Sequence, residues 1–144
     1  AGNFYSAIDR HVKQGPCVAY IAPLDVILDE TNVVQPDVFV ICDKTKIGDR
    51  IHGSPDLVVE VLSPATSLKD KRDKKALYER FGVKEYVIVY PEDLFVERYL
   101  LMNGKYSEPD VVGAQEVLTL GFREGLDLSL WEVFEAEPPQ NSQG

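Results

Sequence analysis

The chain has 144 residues and a hydrophobic fraction of 44%, which suits one globular domain that buries a core without metals. Its formal net charge is -9, so a protein that grips DNA phosphates would need a local basic patch on an acidic body. No apolar run approaches the roughly 20 residues of a membrane span, and no basic-then-apolar leader is visible. We therefore expect a cytoplasmic protein with no membrane partner.

β-branched and apolar residues dominate seven segments of strand length. The predicted strands are residues 17–28, 33–42, 55–63, 83–90, 94–101, a strand starting at 105, and 116–120. The first is interrupted at Pro23 and is one strand or a bent pair. The second is entered through Pro36, where a missing N–H is tolerated. Asn103-Gly104 predicts a type I′ hairpin.

Three segments read as helices. The first fourteen residues read as the end of a helix. Residues 67–82 read as a complete helix, because Ser67 and Asp70 fit a capping box. A short helix ends the last apolar segment, and its inward-facing residues are expected to be Leu130, Trp131 and Phe134.

Polar segments mark the loops and the end of the sequence. The stretch from residue 43 to residue 54 reads as a mobile loop, and residues 135–144 read as a disordered tail. There is no internal repeat and no sign of a second domain. We expect a single domain over residues 1–134.

Cysteine and histidine usage gives little support to metal or thiol chemistry. Cys17 and Cys42 are the only cysteines and lie in apolar segments. We interpret them as small core residues in a reducing compartment, with a disulfide or a catalytic thiol as the alternatives. His11 and His52 have no further ligand at zinc spacing, so a structural zinc site is not expected.

Glu60 is the first candidate functional residue. Strand alternation places it on one face with Asp56 and Val58, in the middle of a nearly continuous apolar run. A carboxylate taken out of water costs several kcal/mol unless a cation or hydrogen-bond donors compensate it. Judged alone, a structural ion pair and a chemical role are equally favoured for this residue.

Asp37 favours a chemical role over a structural ion pair for these acids. It follows Pro36 and precedes another apolar run, on what should be a neighbouring strand. Two acids projected from adjacent strands toward one point form an all-oxygen site. Such a site suits Mg²⁺ or Mn²⁺ rather than zinc.

Asp70, Lys74 and Tyr78 are spaced four residues apart and share one stripe of the predicted helix. A lysine on that stripe could reach the acids, hold an attacking water and stabilise the charge of a transition state. The alternative is an exposed i,i+4 pair between Asp70 and Lys74, which spacing alone favours. The helix also carries the only dense basic cluster, which is otherwise a solvated face: Lys69, Lys71, Arg72, Lys74 and Lys75.

The block SPDLVVEVLSPATSLKDKRDKKALYERFGVKEYVIVYP resembles the signature of the Uma family almost position by position. The upstream NVVQPDVFVI matches the Pro-Asp strand of the same family. These bacterial proteins are classed as candidate restriction endonucleases with the PD-(D/E)XK fold, and the match covers roughly residues 17–134. The resemblance implies an α/β (α+β) fold, in which a restriction endonuclease-like mixed β-sheet core is flanked by helices.

Carried over by position, the resemblance implies that Asp37 is the Pro-Asp carboxylate and Glu60 the acid of the (D/E)XK strand. Leu62 stands where a lysine is expected, and the lysine role looks transferred to Lys74. Asp56, a second Pro-Asp, is a weaker ligand candidate because it lies ~13 Å from Glu60 along the strand. The family signature also implies supporting roles near the strand–helix turn for Thr66, Asp70 and Tyr78.

The sequence departs from the family pattern in two places. Val87 and Tyr90 stand where Trp and Asp are usual, and we interpret both as changes in packing or at a loop end. Relatives usually begin with a further segment that includes a glutamate able to complete the metal site. The resemblance therefore implies that this domain lacks an N-terminal segment.

The expected activity is Mg²⁺-dependent endonucleolytic hydrolysis of DNA, with Asp37 and Glu60 as metal ligands and Lys74 as the third catalytic residue. Nucleases of this fold commonly cut duplexes as dimers, so a homodimer is expected by analogy. The alternative is a catalytically degenerate module that binds protein or nucleic acid, which the acidic balance favours. A hydrolase acting on RNA or nucleotides through the same site is a third reading.

Overall fold

A computed structural model describes residues 1–140 of the chain, which contain three helices and twelve strands. The helices are α1 (Gly2–Val12), α2 (Leu68–Arg80) and α3 (Leu130–Val133). The strands are β1 (Val18–Ile21), β2 (Val26–Ile27), β3 (Val33–Val34), β4 (Val38–Ile41), β5 (Ile51–His52), β6 (Leu57–Val61), β7 (Glu85–Tyr90), β8 (Phe95–Met102), β9 (Lys105–Tyr106), β10 (Asp110–Gly113), β11 (Val117–Leu120) and β12 (Leu126–Ser129).

A mixed seven-stranded sheet forms the centre of the molecule. Its strand order is β1-β4-β6-β7-β8-β10, and β9 extends it by pairing with β8. Within this sheet β6 and β7 are parallel, and the other pairs are antiparallel. Parallel neighbours need a crossover connection, which α2 provides. The predicted class, a mixed sheet with flanking helices, is confirmed.

The two faces of the sheet are covered by different elements. On one face, α1, α3 and the small β11-β12 sheet pack against alternate residues of the central strands, such as Val40 and Val59. On the other face, α2 and the small β3-β2-β5 sheet pack against the residues between them, such as Phe39 and Val58. Strand β6 is therefore buried on both sides, as its continuous apolar run predicts.

Two predicted strands are each divided between two sheets. Residues 17–28 form β1 in the central sheet and β2 in a small sheet, which is the bent pair. Residues 33–42 form β3 and β4, so the prediction of one strand there was wrong. The break falls at Pro36, which has no N–H, and at Asp37, whose N–H donates to the Glu60 carboxylate.

Cys17 and Cys42 form a disulfide, so their interpretation as free core thiols was wrong. The register explains the pairing, because Val18 lies opposite Ile41 in the β1–β4 ladder and the next positions outward therefore face each other. Cytoplasmic localisation stays a prediction. Among residues 1–140, no helix combines the length and the apolar character needed to cross a membrane.

The local predictions have mixed outcomes. The Asn103-Gly104 hairpin is confirmed, since both residues have positive φ between β8 and β9. The predicted loop of residues 43–54 contains a 3-10 turn and β5, which pairs in parallel with β2. In α3, Leu130 is buried while Trp131 is only half-buried. No regular element follows α3 up to residue 140, and the last four residues of the predicted tail lie outside the described part of the chain.

Candidate functional site

Two acids from neighbouring strands each accept a hydrogen bond from a backbone N–H group on the opposite strand segment. Asp37 immediately precedes β4, and Glu60 is the fourth residue of β6. The Asp37 N–H donates to Glu60 Oε1 at 3.1 Å, and the Val61 N–H donates to Asp37 Oδ2 at 2.7 Å. The antiparallel β4–β6 pair therefore fixes both carboxylates against each other.

Lys74 reaches this pair from α2. Its Nζ lies 2.5 Å from Glu60 Oε2, and its side chain is 51% exposed whereas that of Glu60 is 5% exposed. The ammonium thus spans from solvent to a buried carboxylate. Lys74 does not form the exposed i,i+4 pair with Asp70 that the spacing favoured. The i,i+4 ion pair seen in the described part of α2 joins Lys69 to Asp73 at 2.7 Å.

The pKa of the Glu60 carboxyl is raised above its ordinary value. Burial is the largest cause, and the hydrogen bond and positive charge of Lys74 oppose it. The negative charge of Asp37 adds to the rise. One ammonium and one backbone N–H therefore leave this carboxylate incompletely compensated, and the site favours the arrival of a proton or a further cation.

Glu85, at the start of β7, is a second buried acid with different surroundings. Its carboxylate accepts hydrogen bonds from the Arg98 guanidinium and from the backbone N–H groups of Gly121 and Phe122, the latter at 2.9 Å. Arg98 also contacts Asp110 at 2.9 Å. Protein groups thus satisfy Glu85, which ties the end of β11 to the central sheet. Glu85 was missed by sequence analysis, although an acid at the start of an apolar run is the signal that drew attention to Asp37.

A cleft of about 260 Å³ lies beside Glu60 and Lys74. Two predicted supporting residues, Thr66 and Asp70, line it, and Thr66 Oγ1 accepts a hydrogen bond from the Ser63 N–H at 3.1 Å. This bond orders the turn from β6 into α2. The other lining residues, none of which was predicted as a site residue, are Val61, Leu62, Lys71, Asp73 and Tyr86. Of these, Lys71 was noted only as part of the basic cluster of the helix.

Two tyrosines pack next to the acids. Tyr78, one turn after Lys74, is fully buried, and its ring centroid lies 5.1 Å from that of Tyr86. Burial raises the pKa of both hydroxyls, and the charge of Glu60 raises them further. Both side chains are therefore neutral phenols at physiological pH. Within residues 1–140, the Tyr78 hydroxyl has no hydrogen-bond partner.

The structure does not bring Asp56 to the other acids. Its carboxylate accepts from the Cys42 N–H at 2.9 Å and from Lys84 Nζ at 3.0 Å. It is four residues from Glu60 along an extended strand, and its partners lie at that other end. Asp56 therefore has the surroundings of a structural ion pair.

The acidic pair fits a hard divalent cation with few protein ligands. In the described residues, no group of three or more His, Cys, Asp or Glu side chains is arranged to hold a metal ion. Mg²⁺ commonly uses one or two carboxylates and keeps several waters, which matches two linked acids with only oxygen donors. The unpartnered Tyr78 hydroxyl beside them is a further polar atom that a water could satisfy.

A larger cavity, of about 470 Å³, lies between α1, β12 and α3. Its polar residues carry both signs of charge, including Arg10, Asp127 and Glu132, and it contains none of the predicted site residues. We assign the candidate site to the smaller cleft, because that cleft holds the incompletely compensated buried acid.

Solved structures share this architecture. The crystal structure of a putative nuclease belonging to DUF820 from Anabaena variabilis matches 93% of this chain and 77% of that chain, with a TM-score of 0.76 and 20% sequence identity. At that identity the likeness shows the fold, which is nuclease-like.

The family follows from the sequence. The chain belongs to the Uma2 family, whose model is described as "Putative restriction endonuclease" and matches residues 1–130. This confirms the resemblance found in the motifs. No curated protein sequence matches the chain.

Proposed function

We propose that the chain is a metal-dependent nuclease that hydrolyses phosphodiester bonds of DNA in the cleft beside Glu60. The family description and the nuclease-like fold support action on nucleic acid in general. The observation that carries the finer proposal is the linked set of Asp37, Glu60 and Lys74, in which the pKa of Glu60 stays raised despite its ammonium partner.

Asp37 and Glu60 are the proposed ligands of Mg²⁺ or Mn²⁺. When bound, such an ion supplies a Lewis acid that lowers the pKa of water and neutralises charge on a phosphate. The two carboxylates come from adjacent strands whose register is fixed by backbone hydrogen bonds. They are therefore held in place before any ligand arrives, which reduces the reorganisation needed for binding.

Lys74 is the proposed third catalytic residue. One of its N–H groups donates to Glu60, and an ammonium has two further donors, which the half-exposed position leaves available to the cleft. These donors can orient a water and stabilise negative charge that develops on a phosphate oxygen. Asp70 and Thr66, at the same cleft, are proposed to keep α2 and its lysine in register with β6.

The chain is further proposed to act as a cytoplasmic homodimer. A duplex has two strands of opposite direction, and a twofold dimer would present one cleft to each of them. Light scattering of the purified chain, alone and with duplex DNA, measures this directly. A monomer under both conditions contradicts the dimer and leaves the cleft chemistry to be tested separately.

The test of the proposed function is cleavage of plasmid and linear DNA by Glu60→Gln with Mg²⁺ or Mn²⁺. We expect a loss on the order of 10² to 10³-fold, because an amide cannot supply the negative charge. Glu85→Gln is the matched control, since it makes the same change in a buried acid on the next strand. It should lower stability and retain cleavage below its unfolding temperature.

Comparing Glu60→Gln with Glu85→Gln separates a loss of catalysis from a loss of folding. Undiminished metal-dependent cleavage by folded Glu60→Gln contradicts the proposal. If the wild-type chain binds DNA or a protein partner without cleaving DNA under any metal condition, the binding-module alternative replaces it.

A further inference from the structure

Tyr78 is the one buried residue of α2 within the described chain, and its hydroxyl is unsatisfied. A buried hydroxyl without a partner destabilises a fold, whereas phenylalanine would fill the same space without that cost. Two other tyrosines of the same aromatic cluster have paired hydroxyls. Tyr106 donates to the Val83 carbonyl at 2.8 Å, and Tyr90 donates to Glu97. Tyr78 differs from Tyr90 and Tyr106 because its hydroxyl is fully buried and has no protein acceptor in the described residues.

The position of Tyr78 relates this hydroxyl to the acids. It lies one turn beyond Lys74 on the stripe of α2 that faces the sheet, and Lys74 itself contacts Glu60. The Tyr78 ring packs on Tyr86, which lines the cleft. The charges of Glu60 and Asp37 both act on the Tyr78 hydroxyl, so an unpaired donor lies near two carboxylates.

The charge state of Tyr78 suits a donor. Burial raises its pKa, and the negative charges of Glu60 and Asp37 act in the same direction. The hydroxyl therefore keeps its proton at every physiological pH. A phenol O–H in this place can donate to an oxygen that lies between it and the carboxylates, and it adds no charge to the site.

We infer that the Tyr78 hydroxyl is a positioning group that donates a hydrogen bond to a water shared with the carboxylates of Asp37 and Glu60. This inference rests on the proposed function, because such a water belongs to the hydration shell that a cation held by two carboxylates retains. Outer-shell hydrogen bonds of this kind orient the ligands of a metal and tune its affinity. The hydroxyl thereby acts on the cation through the water.

The test compares Tyr78→Phe with Tyr106→Phe, its matched control in the same aromatic cluster. Without metal, Tyr78→Phe should unfold at the wild-type temperature or above it, because no protein hydrogen bond is lost. Tyr106→Phe should unfold at a lower temperature, because its bond to the Val83 carbonyl is lost. Mn²⁺ affinity is then measured by the rise of the unfolding temperature on titration, with Glu60→Gln as the variant lacking a ligand.

We expect Tyr78→Phe to weaken Mn²⁺ binding roughly 10-fold or more and Tyr106→Phe to leave it unchanged. If wild type and Tyr78→Phe bind Mn²⁺ equally, or if Tyr78→Phe unfolds at a lower temperature without metal, the role of Tyr78 is overturned while the proposed function stands. If wild type and Glu60→Gln respond identically to Mn²⁺, the metal-dependent function fails, and the role of Tyr78 fails with it.

Discussion

At the scale of single residues, Glu60 and Glu85 show how similar buried acids can have different consequences. Both lie in adjacent central strands and are almost inaccessible to solvent. Glu85 receives a guanidinium and two backbone N–H groups, while Glu60 receives one ammonium and one backbone N–H. Burial raises the pKa of Glu60, and its two partners do not fully offset that rise.

The pKa of Glu60 predicts a pH effect on stability. Its folded value lies above the ordinary 4.5, so the folded state binds the proton more tightly than the unfolded state does. The stabilising contribution is present at low pH and is lost as pH rises from the unfolded pKa through the folded one. Metal-free Glu60→Gln should lack this decline and unfold at or above the wild-type temperature at neutral pH.

This pH effect is measured as the difference between the unfolding temperatures of wild type and Glu60→Gln. Both are recorded between pH 4 and pH 8 with a chelator present. A difference that does not change with pH contradicts the raised pKa. Added Mn²⁺ should stabilise wild type at neutral pH and should not stabilise the variant, because the cation takes the place of the proton.

Lys74 supports a separate prediction. Lys74→Met removes the positive charge that opposes the rise in the pKa of Glu60, so the variant should lose stability at pH 8 and regain it near pH 5. Its cleavage rate should fall on the order of 10²-fold. Lys69→Met, an exposed lysine of the same helix, should change neither property. Equal cleavage by both variants removes Lys74 from the proposed mechanism.

At the scale of elements, the strand–turn–helix unit of β6, α2 and β7 was predictable because its signals are local. The apolar run of residues 55–63 and the Ser67 cap are read within a few positions, and the cap is confirmed by the bond from the Asp70 N–H at 3.0 Å. The division of residues 33–42 was not predictable, because it depends on β2, a partner strand in another sheet.

The spacing of residues in the sequence could not predict the partner of Lys74, because that contact also depends on tertiary structure. Four residues separate it from Asp70, and local geometry favours that pair. The carboxylate that it contacts is fourteen positions away and meets it only after α2 folds over β6. The family resemblance identified this lysine, whereas Glu60 was identified by its position within an apolar strand.

The disulfide belongs to the same scale, since it joins β1 to β4 across a sequence separation of 25. Closing a loop of that length restricts the unfolded chain and should contribute roughly 3.5 kcal/mol to the free energy of unfolding. The Cys17→Ala/Cys42→Ala variant should lose that amount in urea titrations. Reductant should cause the same loss in wild type and none in the variant. The disulfide is contradicted if titration of the wild-type protein, unfolded in the absence of reductant, finds two reactive thiols.

At the scale of the whole molecule, the net charge of -9 limits how the chain can hold DNA. The basic cluster of α2 is largely engaged within the protein. Lys69, Lys71 and Lys74 pair with carboxylates, and Lys75 lies 4.4 Å from the Tyr99 ring centre. In this cluster only Arg72 has no such partner among the described residues, so we expect recognition to depend more on the cleft than on a basic face of α2.

This charge distribution predicts a weak dependence of DNA binding on salt. If about three cations at most contact phosphates, a plot of log affinity against log salt should have a slope no steeper than about -3. Fluorescence anisotropy with a labelled duplex and Ca²⁺ in place of Mg²⁺ measures the slope. A slope near -8 would instead indicate a broad basic interface.

Asp37 and Glu60 are proposed to form a cation site. Anomalous diffraction from a crystal of the chain soaked in millimolar Mn²⁺ tests it most directly. We expect one strong peak about 2.1 Å from a carboxylate oxygen of each residue, with Lys74 at its edge. An ion bound elsewhere, such as beside Asp127 and Glu132, with nothing between Asp37 and Glu60, contradicts it.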